Sequence, residues 1–155
     1  MNMELGRQIG SFLEAHHVMS LATLGLCGPH ATSLFYACDG LALVWVSEPD
    51  TQHSRDIEVD SRVAATVAPD CSDFAAIQGV QISGTAHRIV AADERMRHLA
   101  QLEARYPFLG QLAAGPLKLR QAYARAAIYR LEAVRAVLID NTKGFGHKQT
   151  LEIST

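Results

Sequence analysis

Two turn signals, Gly28–Pro29 and Asp39–Gly40, constrain this chain more than any other feature of it. They cut a β-rich, largely apolar stretch into three short runs: VMSLATLG (18–25), HATSLFYAC (30–38) and LALVWVS (41–47). Asp–Gly between apolar runs is a strong hairpin signal, and Gly–Pro punctuates a turn. Three antiparallel strands in a meander follow, over about 18–25, 30–38 and 41–47. A chain committed this early to sequential hairpins is not a doubly wound parallel sheet.

The flanking segments fill in the rest. Leu5, Ile9, Phe12 and Leu13 form one apolar stripe over residues 3–16, with Glu4, Arg7, Gln8 and Glu14 off it, which predicts an N-terminal helix. After the third strand, Asp50 is the expected N-cap of a short helix from Thr51 to about Val59. RVAATVAP (62–69) predicts a fourth strand. AAIQGVQISGTAHRIV (75–90) predicts a fifth, in which the internal Gly79 and Gly84 mark bends or close backbone approaches. Residues 93–105 predict a helix capped by Asp93, with Met96, Leu99, Ala100 and Leu102 on its apolar side. Short helical pieces follow, broken by Gly110 and Gly115–Pro116. IYRLEAVRAVLID (128–140) returns to strand with a break near Glu132–Arg135, and a loop leads into a possible last strand. The expectation is an α+β, mainly β chain of about six strands forming a small barrel, one domain over 1–155.

Composition excludes several classes. The net charge of −2 gives no basic excess of the kind general nucleic-acid binding requires. No apolar run approaches the length of a membrane span or a signal peptide, so no membrane association is expected. Cys27, Cys38 and Cys71 are odd in number and lack CxxC spacing, which argues against a disulfide framework and a zinc site and fits a cytoplasmic protein. Each is expected to act as a small buried hydrophobe. The seven histidines stand in no HExxH arrangement, and no metal site is expected. His16–His17 suits the negative end of the first helix, whereas His87 and His98 read as solvent-facing. GxSxG, GxGxxG and P-loop spacings are all missing.

SEPDTQHSRDI (47–57) remains, where an apolar strand hands over to a polar helix. A helix N-terminus presents unsatisfied N–H groups and about half a positive charge, which favour an anion. Thr51 offers a hydroxyl, Gln52 an amide, His53 an imidazole and Arg55 a fork suited to phosphate oxygens. An ordinary capped surface helix would carry the same residues, and local pattern does not separate the two. A glycine-rich polar loop, DNTKGFGHK (140–148), is either a simple turn or a lid hinged at its glycines.

Taken in order, VMSLATLG…GPHATSLFYACDGLALVWVS, TQHSRDI with SRVAATV, and IQGVQISGTA resemble the pyridoxamine 5′-phosphate oxidase-like, FMN-binding split-barrel superfamily. The DNTKGFGHK tail resembles its uncharacterised YhbP-like subgroup. The likeness runs from about residue 5 to about residue 150 and implies a six-stranded antiparallel split β-barrel with flanking helices. It also implies a homodimer with FMN at the interface. Thr51 stands where the family's phosphate-binding Ser/Thr falls, followed by Gln52 and His53 in places often cationic, and by Arg55. The uncharged Gln52 departs from that pattern, and Lys148 of a partner segment is a further candidate. Gln78 and Gly79 match a position that approaches the cofactor from a neighbouring strand. Ser20, Ala22, Thr23, Thr32, Ser33 and Leu34 fall where the first hairpin meets the isoalloxazine.

The expected function is therefore an FMN-binding flavoprotein, an oxidoreductase of unknown substrate. The alternative is a flavin- or haem-binding carrier or sensor without turnover. No acid or base is evident; His30 and His147 are the candidates because imidazole titrates near neutral pH. Pyridoxamine 5′-phosphate oxidation itself is not expected, since the arginine–histidine substrate pair of that activity is missing from IYRLEAVRAVLID.

Overall fold

A computed structural model describes residues 2–153 of the chain. The chain begins with helix α1 (Met3–Glu14), whose Leu5, Ile9 and Leu13 are buried; the Asn2 side chain accepts the Leu5 N–H at 3.1 Å. Strands β1 (Val18–Gly25), β2 (Gly28–Phe35), β3 (Ala37–Asp39) and β4 (Ala42–Ser47) follow as the expected meander, with the second strand starting earlier than its pattern suggested and divided at Tyr36. Both turns use glycine at positive φ, Gly28 at 93° and Gly40 at 64°.

Helix α2 (Gln52–Val59), β5 (Arg62–Val67) and β6 (Gln78–Arg88) come next. Three helices, α3 (Ala92–Arg105), α4 (Phe108–Ala113) and α5 (Leu117–Arg125), precede β7 (Ala127–Asp140) and β8 (Lys148–Glu152). The eight strands of the described residues belong to one curled antiparallel sheet, ordered β2-β1-β5-β6-β7-β4-β3 with β8 on β7. The long β7 serves two partners along one edge: Ala127–Leu131 pair with β4, and Arg135–Ile139 pair with β8.

A bulge makes that exchange possible. Ser83 faces Arg135 but Gly84 faces Ala133, which leaves Val134 as the extra residue. A Cβ on Gly84 would sit 2.0 Å from the Glu132 carbonyl oxygen, so only glycine permits the approach. The internal glycine and the break near Glu132–Arg135, read separately from sequence, are one feature.

The inner face of the curl holds the main core: Met19, Leu21, Leu43, Trp45, Val80, Ile82, Tyr129 and Leu131, closed by Leu5, Ile9 and Leu13 of α1 and Ile57 of α2. Ala37, Val44 and Ile128, on the other face of β3, β4 and β7, pack against Leu102 of α3, Tyr106 just after it and Leu109 of α4. Among the described residues no helix is long and apolar enough to cross a membrane.

Several side chains differ from expectation. His98 is fully buried rather than exposed: Nδ1 faces Gln101 Oε1 at 3.3 Å, and Nε2 lies 3.3 Å and 3.4 Å from guanidinium nitrogens of Arg97 and Arg130. Both arginines reach Asp39, so the buried face of α3 meets a charged patch and an imidazole fits it where a hydrocarbon would not. Met96 is correspondingly 70% exposed. Cys38 alone is buried; Cys27 and Cys71 are exposed because they sit in a turn and a loop. The N-cap position of α2 is held by Thr51 rather than Asp50, without a side-chain cap, and α3 begins at Ala92, with Asp93 in its first turn.

Candidate functional site

Strand β4 ends at Ser47, and the chain turns through Glu48–Asp50 into α2. Thr51 is extended, with ψ at 155°, and its carbonyl accepts the first helical bond from Arg55 N at 3.0 Å. Its hydroxyl does not cap the helix: it donates back to the Glu48 carbonyl at 2.9 Å and lies 2.8 Å from Ser54 Oγ. Among the described residues no side chain therefore caps the first turn of α2.

Arg55 adds a second feature. Its exposed guanidinium folds back over the start of its own helix, donating to the Asp50 carbonyl at 2.5 Å and to Gln52 Oε1 at 3.4 Å. A cation placed at the positive end of a helix opposes the macrodipole. Positive potential converges on this turn from two independent sources, as an anion would require.

His53 is 93% removed from solvent, being 7% exposed, and its Nε2 lies 2.6 Å from Ser47 Oγ and 3.2 Å from Thr51 Oγ1. Burial depresses its pKa first, the neighbouring His30 depresses it further, and Asp56 works in the opposite direction. The ring is neutral at pH 7, and three polar heads from the strand end, the turn and the helix are tied together. Asp56 anchors the other side of α2: nearly fully buried, it accepts from Thr23 Oγ1 and from Gln52 Nε2, each at 2.7 Å. Gly25 makes room for that carboxylate, since a Cβ there would lie 1.9 Å from Asp56 Oδ1.

The first hairpin divides its residues by the pleat. Ser20, Ala22 and Ser33 point outward and are exposed. Thr23, paired with His30, and the half-buried Thr32 and Leu34 are on the inward side. Strand β2 is the free edge of the sheet, so every second residue offers an unpaired N–H and C=O. Beside that edge, where β2 meets β4, α3 and α4, lies a cavity of about 220 Å³ with Ser33 and Leu34 in its wall.

Gln78, Gly79, His147 and Lys148 lie elsewhere. Gln78 starts β6 and donates to Asp140 Oδ1 at 3.2 Å, and Lys148 pairs with Ile139 at the same end of the sheet. Helix α2 leads into β5 at the other end of the sheet, where Arg62 pairs with Thr85; at roughly 3.3 Å per residue Thr85 is about 23 Å from Gln78 along β6. One protomer does not bring these residues to α2. The exposed Phe145 packs tilted against Phe74, with centroids 4.8 Å apart, and the Asn141 amide fixes the loop to the Phe74 carbonyl at 3.0 Å.

Ser47, Ser54 and Asp56 were missed in sequence. The Gln52–Asp56 spacing is that of a helical i,i+4 bond and could have been found; Thr23–Asp56 is a long-range contact with no local signal.

An open curled sheet with a short helix leaving its fourth strand defines a split-barrel protein, and comparison with known proteins agrees. The family profile described as pyridoxamine 5′-phosphate oxidase matches residues 5–135, and the chain belongs to that family. An UPF0306 protein of Serratia proteamaculans is 28% identical over 144 residues, covering 92% of this chain and 91% of that protein. Two solved structures share the fold. A heme binding protein from Mycobacterium smegmatis superposes with a TM-score of 0.73 at 23% identity, over 95% of this chain and 56% of that one. A FAD-binding protein from Mesorhizobium loti does so at 0.67 and 16%, over 84% and 90%.

Proposed function

We propose that the protein is an FMN-binding flavoprotein, working as a homodimer with the cofactor at the subunit interface, and an oxidoreductase of small molecules. The observation that carries the reading is the start of α2: an uncapped first turn overlaid by the Arg55 guanidinium. Family membership supplies the second support.

The residues fit the group. The 5′-phosphate is a dianion, and the N–H groups of the first turn and Arg55 would hold it, joined by the Thr51 hydroxyl once it turns from the Glu48 carbonyl. The flavin ring needs a flat, mostly apolar slot and a few donors and acceptors along one edge. The unpaired backbone of β2 offers the donors and acceptors along that edge. Since Gln78, Gly79 and Lys148 stand far from α2 in their own protomer, they would reach the cofactor only from a second copy. The outward row of Ala31, Ala22, Ala64 and Ser83, paired in register and exposed, suits close approach of that copy.

Bound FMN would supply hydride or electron transfer. The chain's part is to fix the phosphate and to place donors at the ring. His30, beside the neutral His53, and His147 of a partner are the residues assigned to proton movement.

The visible spectrum of the purified protein, with mass spectrometry of the released ligand, tests this. Oxidised-flavin bands and the mass of FMN are expected. An intense Soret band would replace the reading with haem binding, and a colourless protein that takes up no FMN would end it.

A further inference from the structure

The cavity beside β2 is chemically one-sided. Among the described residues its wall carries no charged side chain, and Ser33 is its only hydroxyl besides that of Tyr106. The Tyr106 hydroxyl is already engaged with the carbonyl oxygens of Tyr36 and His17, so what Tyr106 offers the cavity is its ring. Arg105, the nearest cation in sequence, is committed to the Glu14 carboxylate at 2.9 Å. Three rings gather here: Phe35 and Tyr106 have centroids 5.1 Å apart, Phe35 and Phe108 5.2 Å, and Tyr106 and Phe108 5.7 Å, all mutually tilted. Tyr106 is 4% exposed, whereas Phe35 and Phe108 are 50% and 38% exposed, so the first forms the floor and the other two form the rim.

We infer that this cavity binds a small, flat, uncharged aromatic molecule of one or two fused rings; its place beside the flavin rests on the preceding reading. Volume sets the size. An apolar cavity of about 150 Å³ accepts benzene, and about 220 Å³ leaves room for a second fused ring. Wall chemistry sets the charge. A carboxylate or phosphate entering here would lose its water and find no cation among the lining groups, only the Ser33 hydroxyl and edge N–H groups of β2, too little to replace the hydration of an ion. Ring geometry sets the shape, because tilted aromatic neighbours at these separations offer edges and faces to a planar guest. The site thereby selects against phosphorylated and carboxylated ligands, although the family takes its name from a phosphate ester.

Indole and indole-3-carboxylate, alike in shape and different in charge, are the probes. Amide NMR titrations of the full-length protein, flavin-free and FMN-loaded, read both. Indole is expected to shift the amides around Leu34, Leu102 and Phe108, in either state, at least tenfold more tightly than indole-3-carboxylate. Phe108→Ala should weaken indole at least fivefold, and Phe108→Leu, which keeps apolar bulk and the α4 helix but removes the ring, by a smaller factor. Equal affinity for the two probes would overturn the inference, as would indole binding indifferent to both variants. Indole binding that FMN abolishes would also overturn it, by making the cavity the flavin's own slot. Indole behaving as expected on a protein that never takes up FMN would uphold the ligand class and reject the flavin reading alone.

Discussion

Replacing Gly25 by alanine puts a methyl carbon 1.9 Å from Asp56 Oδ1 and 2.6 Å from its Cγ, so the carboxylate must leave its place. In leaving it gives up the bonds from Thr23 Oγ1 and Gln52 Nε2, each 2.7 Å long. Hydrogen bonds to a charged group contribute about 1.5–3 kcal/mol each, and the displaced carboxylate regains part of this from water, leaving a loss of about 2–4 kcal/mol. For a chain of this size that lowers Tm by roughly 5–15 °C. Urea unfolding followed by the fluorescence of Trp45, the single tryptophan and fully buried, measures it. The cause is isolated by a cycle. With Asp56→Ala already present the obstruction is gone, and Gly25→Ala should then cost under about 1 kcal/mol, a coupling of at least ~1 kcal/mol. Additive losses would refute the claim that Gly25 is kept small for Asp56. A Gly25→Ala protein as stable as the parent would refute the claim that the two bonds to Asp56 hold α2 down.

Arg55→Ala, at an exposed position, should leave stability within about 0.5 kcal/mol and weaken FMN by about 1–2.5 kcal/mol, one charge-assisted contact less the bond to Asp50 that is given up; fluorescence titration checks both, and Thr51→Ala should add to the loss. Because the folded-state pKa of His53 lies below its ordinary value, its contribution to stability is complete above about pH 6.5 and declines as the pH falls below that. Urea midpoints at pH 7.5 and 5.5 should therefore differ more for the parent than for His53→Gln; equal differences would remove His53 as the cause. Gly84→Ala meets the Glu132 carbonyl at 2.0 Å, a backbone atom that cannot step aside, and should cost about 3 kcal/mol or more in the same unfolding assay.

Much of the fold was legible because its signals are local. Gly28 and Gly40 sit at positive φ where the turns were read, and Leu5, Ile9 and Leu13 of the apolar stripe are the buried face of α1. Helix α3 was legible as a helix but not in its buried face. The stripe through Met96 assumed a hydrocarbon surface beneath it, while Asp39 and Arg130, remote in sequence, supply a charged one that selects His98. The site divides along the same line. Thr51 and Arg55 were visible as a polar helix start, but Asp56 gains its role only when Thr23 and Gly25 are folded against it. The resemblance grouped Ser20, Ala22 and Ser33 with Thr23, Thr32 and Leu34, although strand alternation sends the two sets to opposite faces. The far position of Gln78 and Lys148 follows from β6 running the length of the sheet, which no local pattern encodes.

The proposed function depends on a phosphate held at the start of α2. Equilibrium titration of the flavin-free protein with FMN and with riboflavin, identical but for the phosphate, tests it most directly. FMN should bind at least about a hundredfold more tightly, the equivalent of roughly 2.7 kcal/mol from two or more charge-assisted contacts, and Arg55→Ala should narrow the gap. Equal affinities for the two flavins would contradict the account.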